Sequence, residues 1–168
     1  MQLTDMNKQQ TIDSIKAKIS ELGFTITEQN AEKPWGGYFV ISEEQVEAFA
    51  KEFFPNIDME TIRITKRLSP KILMVAPNQR LSWQYHFRRA ELWKCIGGKV
   101  AVITSDDDVE RNRQELTIGD IIKLKQGERH RLVGLDDWGI VAEIWQHTDA
   151  NHLSDEEDIV RVQDDFGR

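Results

Sequence analysis

Residues 80–98 read RLSWQYHFRRAELWKCIGG, and the fold turns on this stretch. Taken as a strand, it points Gln84 and His86, two apart, to the same side. Glu91 follows five residues after His86, and Gly97-Gly98 closes the segment. A second segment, GDIIKLKQGERH at 119–130, ends in His130. Gln84, His86, Glu91 and His130 offer two imidazoles, one carboxylate and one amide oxygen. That donor set suits one borderline divalent ion, Zn(II) first, with Fe(II), Mn(II), Co(II) and Ni(II) as alternatives.

Working outward, the chain from residue 60 reads as strands. ETIRITKRLSP alternates and is basic, and KILMVAPNQRLSWQYHF turns at Pro77-Asn78. ELWKCIGGKVAVITSDD is two strands joined at Gly97-Gly98. RQELTIGDIIKLKQGERHRLVGL supplies two or three short strands and WGIVAEIWQHT another. Short strands between turn signals predict an all-β protein, an antiparallel barrel or jelly roll. Asp106-Asp107-Asp108 reads as a solvated turn; no glycine follows at the spacing of a calcium loop.

Before the strands, Ile12, Ile15, Ile19 and Leu22 predict an amphipathic helix over 9–22, stopped by Gly23. It is expected to serve as a lid over the barrel end, ahead of a dimer contact. FTITEQN reads as a strand, and EKPWGGYFVI as a turn followed by a β-rich run, with Trp35 a core plug. Residues 43–54 predict a second helix, with Ser42 as N-cap and Gln45 as capping-box partner. The expected organisation is one domain over 1–168: N-terminal decoration to 56, barrel over 57–150, and a C-terminal segment over 151–168 packing on the barrel.

The 168 residues suffice for one real core, and 39% hydrophobic and 30% charged residues suit a globular protein. A net charge of −7 argues against nucleic acid as a partner. No apolar run approaches membrane length, and MQLTDMNKQQ has no secretory pattern. The single Cys95, in an apolar run, reads as a buried, inert thiol and fits a reducing cytoplasm.

The two metal-donor segments resemble the two cupin motifs. Gln84 stands where the first His usually stands, Lys125 where a Pro does, and Gly134 where an Asn does. LSWQYHFRRAELW is similar to the LSLQxHxHRAEHW segment of type II mannose-6-phosphate isomerases. EKPWGGY resembles their RPWG opening, and SDEEDIVRVQDDFGR their EDDIVR…D-YGR close. The resemblance spans roughly residues 32–168. It implies a cupin fold, a metal held by Gln84, His86, Glu91 and His130, and aldose–ketose isomerisation of a sugar phosphate. Reading His86 as the first motif histidine instead would put Arg88 at the second, so the Gln84 register is preferred. Leu92 also departs from the family's His. Few residues precede the Pro-Trp-Gly motif, so a fused guanylyltransferase is not expected.

Isomerisation needs a base beside a polarised carbonyl. Glu143, inside the apolar run IVAEIW, is the candidate base; a structural partner for a buried arginine is its competing role. Arg161, matching the Arg of EDDIVR, joins it as a catalytic candidate. Lys71, Arg89 and Arg168 are the substrate-binding candidates, each otherwise a surface cation or ion-pair partner. His147 and His152 read as surface residues. A non-catalytic sugar-binding cupin and a metal-dependent oxygenase of the same fold are the competing functions. A homodimer is compatible with the pattern.

Overall fold

The computed structural model describes residues 3–167. Its strands form two antiparallel sheets. The six-stranded sheet runs β1 (Ile26–Lys33), β2 (Gly36–Ile41), β3 (Lys71–Val75), β10 (Gly139–His147), β5 (Arg89–Gly97), β8 (Ile121–Leu124). The five-stranded sheet runs β11 (Val160–Gln163), β4 (Trp83–Tyr85), β9 (Arg129–Gly134), β6 (Val100–Ser105), β7 (Asn112–Leu116). The two sheets enclose a core of Val75, Trp93, Cys95, Val102, Leu132 and Val141. This is the expected all-β cupin barrel. Its corner at Gly98 needs glycine: φ is +62°, and a Cβ would lie 2.2 Å from the Trp138 carbonyl oxygen.

Strand alternation divides β10 cleanly. Val141 faces the barrel, while Ile140, Ala142 and Ile144 face outward into a second apolar layer. The helices supply the other half of that layer. Helix α1 (Lys8–Glu21) starts at a capping box between Asn7 and Gln10 and buries Ile12, Ile15 and Ile19. Helix α2 (Val46–Phe53) adds Phe49 and Phe53, and Phe54 follows it into the same layer. So α1 does not close the barrel end. It covers the outer face of the six-stranded sheet, where Ile72, Met74 and Ile140 are apolar and would otherwise meet water.

Two local expectations fail for tertiary reasons. Residues 43–45 form a 3₁₀ turn, and the Ser42 side chain caps nothing. Gln45 instead reaches across to accept from Thr25 N–H (2.7 Å) and donate to the Gly23 carbonyl (2.8 Å). ETIRITKRLSP is not a strand: it begins in the short helix α3 (Met59–Ile62), where the Asp58 side chain accepts from Glu60 N–H at 3.0 Å. Arg63 then pairs with Glu47 and Glu60. The stretch before residue 57 also does more than decorate, since β1 and β2 extend the larger sheet. Among the described residues, no helix is long and apolar enough to cross a membrane.

Candidate metal centre and its cavity

The two motif segments meet because β4 lies beside β9, with Gln84 opposite His130. The Gly127 N–H donates to the His86 carbonyl (3.0 Å), so the turn before β9 is bound to the end of β4. Gly127 has φ +77°, which suits glycine in that turn. The result is a cluster of His86, Glu91 and His130 whose ligand atoms all lie within 4.8 Å of one another. Each of the three is 3% exposed or less, so their donors converge in a largely desolvated site.

Both imidazoles are held in one tautomer. His86 Nδ1 faces the Asp158 carbonyl at 2.6 Å, and His130 Nδ1 faces the Glu128 carbonyl at 3.1 Å. A carbonyl only accepts, so each Nδ1 carries the proton and each Nε2 presents a lone pair. His86 Nε2 lies 3.3 Å from Glu91 Oε1, and His130 Nε2 lies 3.7 Å from Glu91 Oε2. His130 Nε2 is buried without a hydrogen-bond partner. An orphaned, aligned lone pair beside a carboxylate fits a borderline divalent ion. Burial pushes the His86 imidazole down to about 3 and lowers His130 as well, so both stay neutral and able to ligate. Burial opposes the charge of Glu91, but the adjacent Arg89 holds that carboxyl below the usual range.

Gln84 is buried, and its amide nitrogen donates to the Ser82 hydroxyl (3.1 Å) and carbonyl (3.3 Å). Arg88, the alternative motif position, points away: it lies 3.7 Å from Asp155 and 3.8 Å from Asp158. The clustered donors are thus His86, Glu91 and His130, with Gln84 beside them on β4 opposite His130.

A cavity of about 210 Å³ opens from this centre, lined among others by Gln84, Glu91, Trp93 and Glu143. Glu91, Trp93 and Glu143 on its wall belong, with Trp145 behind them, to a square of inward-facing residues. Trp145 stands opposite Glu91 and Glu143 opposite Trp93 across the β10–β5 ladder. Glu143 accepts the indole N–H of Trp93 (2.6 Å) and of Trp145 (2.8 Å). Burial, with Glu91 nearby, pushes the Glu143 carboxyl up to about 7. Its partners are indoles; the buried arginine, Arg89, pairs instead with Glu91.

Lys71 stands opposite Glu143 on β3, buried, and donates to Glu156 at 2.6 Å. Burial opposes its charge, but Glu143 and Glu156 together hold its pKa above the ordinary lysine value. Arg89 is buried and stacks on Trp145 with its guanidinium carbon 3.6 Å from the ring centre. Arg161 is exposed at the cavity rim, on β11 opposite Gln84. Lys33 and Tyr38 also line the cavity. Arg168 lies outside the described residues.

Several residues escaped the sequence reading. Asp158 ties the C-terminal segment to the centre: its carboxylate accepts from the backbone N–H of Phe87 (2.9 Å) and Arg88 (3.0 Å). The segment is expected to pack on the barrel, but nothing local in its acidic run marks Asp158 as the buried carboxylate. His147, read as a surface residue, is buried: its Nδ1 accepts from Ser154 N–H (3.0 Å) and its Nε2 donates toward Ser69 Oγ (3.2 Å). It continues the inward series of Val141, Glu143 and Trp145, and that period-2 signal places it. His152 is exposed as expected.

A double-sheet barrel carrying two histidines and a glutamate at one end is a cupin. A family model described as mannose-6-phosphate isomerase C-terminal matches residues 42–164, and the chain belongs to that family. The alginate biosynthesis proteins AlgA of Pseudomonas syringae pv. tomato and Pseudomonas putida are each 25% identical over 174 residues, covering all of this chain. The chain spans 29% of the length of those relatives. Its fold is shared with the capsular polysaccharide assembling protein CapF of Staphylococcus aureus, at TM-score 0.54 and 13% identity over 81% of this chain and 34% of that one. It is shared too with oxalate decarboxylase of Bacillus subtilis, at TM-score 0.57 and 14% identity over 80% of this chain and 30% of that one.

Proposed function

We propose that the chain is a metal-dependent sugar-phosphate isomerase of the mannose-6-phosphate isomerase type, interconverting aldose and ketose through an enediol. The observation that carries this reading is the square of Glu91, Trp93, Glu143 and Trp145. It sets the Glu143 carboxyl, which burial pushes up, beside the Glu91 end of the His86–Glu91–His130 cluster, and the two carboxyls line one cavity. A divalent ion held by His86, Glu91, His130 and the Gln84 amide oxygen, Zn(II) first, would polarise the sugar carbonyl and its neighbouring hydroxyl.

Glu143 is the base. Burial pushes its pKa upward, toward the range in which a carboxylate can take a proton and give it back. The two indole N–H groups fix its plane and leave each oxygen a second lone pair for that proton. Lys71 supplies a positive charge beside it. The sugar phosphate's anionic end belongs at the rim, where Arg161 and Lys33 are placed to meet it. Arg161 thus moves from the reacting centre to phosphate binding. AlgA, named for alginate biosynthesis, and CapF, named for capsular polysaccharide assembly, support a carbohydrate substrate.

The test is solvent exchange. Metal-loaded protein is incubated in heavy water with mannose 6-phosphate, fructose 6-phosphate or a seven-carbon ketose phosphate and followed by NMR. Deuterium at carbon 2 of the aldose or carbon 1 of the ketose is expected with one of them. Metal bound without exchange into any sugar would overturn the isomerase reading in favour of a binding protein, or of an oxygenase if oxygen is consumed with Fe(II).

A further inference from the structure

The geometry points to Arg89 as the residue that limits how tightly the centre holds its ion, because its guanidinium claims two of the three donors; this rests on the metal-centre reading above. Arg89 Nη2 stands 3.3 Å from His86 Nε2, and Arg89 Nε donates to Glu91 Oε1 at 2.8 Å. His86 has one lone pair at Nε2, since its proton is on Nδ1 toward the Asp158 carbonyl. That lone pair serves one partner at a time, the guanidinium N–H or an ion. His130 Nε2, by contrast, is unclaimed.

Arg89 is anchored in this position from behind. Its Nη1 donates to Ser154 Oγ (3.0 Å) and the Asp155 carbonyl (2.9 Å), and its plane lies on Trp145. An incoming ion must displace Nη2 from His86 and then share the Glu91 charge with a fixed neighbouring cation inside a poorly screened site. Arg89 therefore weakens the centre's hold on its ion. It also neutralises Glu91, so the barrel does not depend on the ion for folding; stripping a partner from a buried charge is strongly destabilising. Arg89 is then a competitor for the donors of the metal centre and not a phosphate ligand.

The two effects have opposite signs, and that separates this role from the alternatives. Zn(II) affinity is measured by competition with a chromophoric chelator, alongside the melting temperature with and without zinc, for the unaltered chain, Arg89→Met and Arg89→Lys. Arg89→Met should bind zinc about tenfold or more tightly and melt lower without zinc, recovering with it. Arg89→Lys, which keeps the charge but loses the planar fork that reaches both His86 and Glu91, should bind zinc with an affinity between the other two. Affinity in Arg89→Met that is unchanged or weaker overturns the proposal, the latter marking Arg89 as a support that orients Glu91. If Arg89→Met does not fold, the unaltered chain decides. Its Arg89 Nε–H resonance, assigned by its loss in Arg89→Lys, should shift and exchange faster with water on zinc saturation, and a resonance that stays put overturns the proposal. Zinc bound by Arg89→Met alone supports it; zinc bound by none of the three overturns the metal reading and this inference with it.

Discussion

The two faces of β10 make different proteins of the same strand. Outward, Ile140, Ala142 and Ile144 meet the helical layer, which is apolar throughout. Inward, the series runs from Val141 in the barrel core to Glu143, Trp145 and His147, each with a polar partner. The outward face gives Ile140, Ala142 and Ile144 to apolar burial and ends at half-buried Gln146, while the inward face gives up apolar contact at that end to build a site. Stability should therefore be concentrated in the helical layer and chemistry at the barrel mouth, with little crossing between them.

The strongest way to break that division is at the metal donors. His86→Ala and His130→Ala should each abolish zinc binding, read by metal analysis after gel filtration, while circular dichroism shows the barrel still folded; retained metal in both would dissolve the centre. Next comes the outer layer. Phe49→Ala removes a fully buried ring and should cost about 3–5 kcal/mol in a denaturant titration. Zinc affinity should hold wherever the variant is folded, and a matching loss of affinity would show the two faces to be coupled. Glu143→Gln should lower deuterium exchange about a hundredfold or more with zinc retained, because it removes proton transfer; its single amide oxygen keeps one indole N–H satisfied and leaves the other facing an NH2 donor, so the variant should also melt lower.

A smaller effect sharpens the same contrast. Burial lowers the His147 imidazole to about 4, below the ordinary value of 6.5. The unfolded chain thus binds the extra proton first as pH falls. The stability from neutral His147 is present above pH 6.5 and drains away toward pH 4, by about 3 kcal/mol at most. His147→Gln should flatten that part of the pH–stability curve; an unchanged slope would assign the acid sensitivity elsewhere. The smallest effect is at Cys95, whose thiol burial pushes up to about 11. It should resist alkylation at pH 8 in the folded protein and react only on unfolding.

How much of this was legible depends on how far each partner lies along the chain. The barrel, the Gly97-Gly98 corner, the Pro77-Asn78 turn and both glycine-bounded donor segments follow from period-2 patterning and turn chemistry, which are local. Glu143 stood out because a carboxylate inside IVAEIW is costly unless it is served. Its servers, Trp93 and Trp145, carry no local sign of that role, since Trp93 is fifty positions away in sequence. The helix expected over 43–54 lost its capping box to Gln45 contacts twenty or more positions distant. The C-terminal run SDEEDIVR hid its division of labour: Glu156 serves Lys71, Asp158 clamps the end of β4, and Asp155 lends a carbonyl to Arg89.

By itself the sequence determined the strand faces and the chemical types on them, because alternation and turn residues act within a few positions of themselves. It thereby put Gln84, His86, Glu91 and His130 on segments able to meet. Only the tertiary structure decided which buried charge answers which: that Arg89 leans on Glu91 and His86, that His147 is enclosed, that α1 covers a sheet face and not a barrel end. Those outcomes rest on desolvation and pairing between groups far apart along the chain, and such energies exist only once the chain has folded.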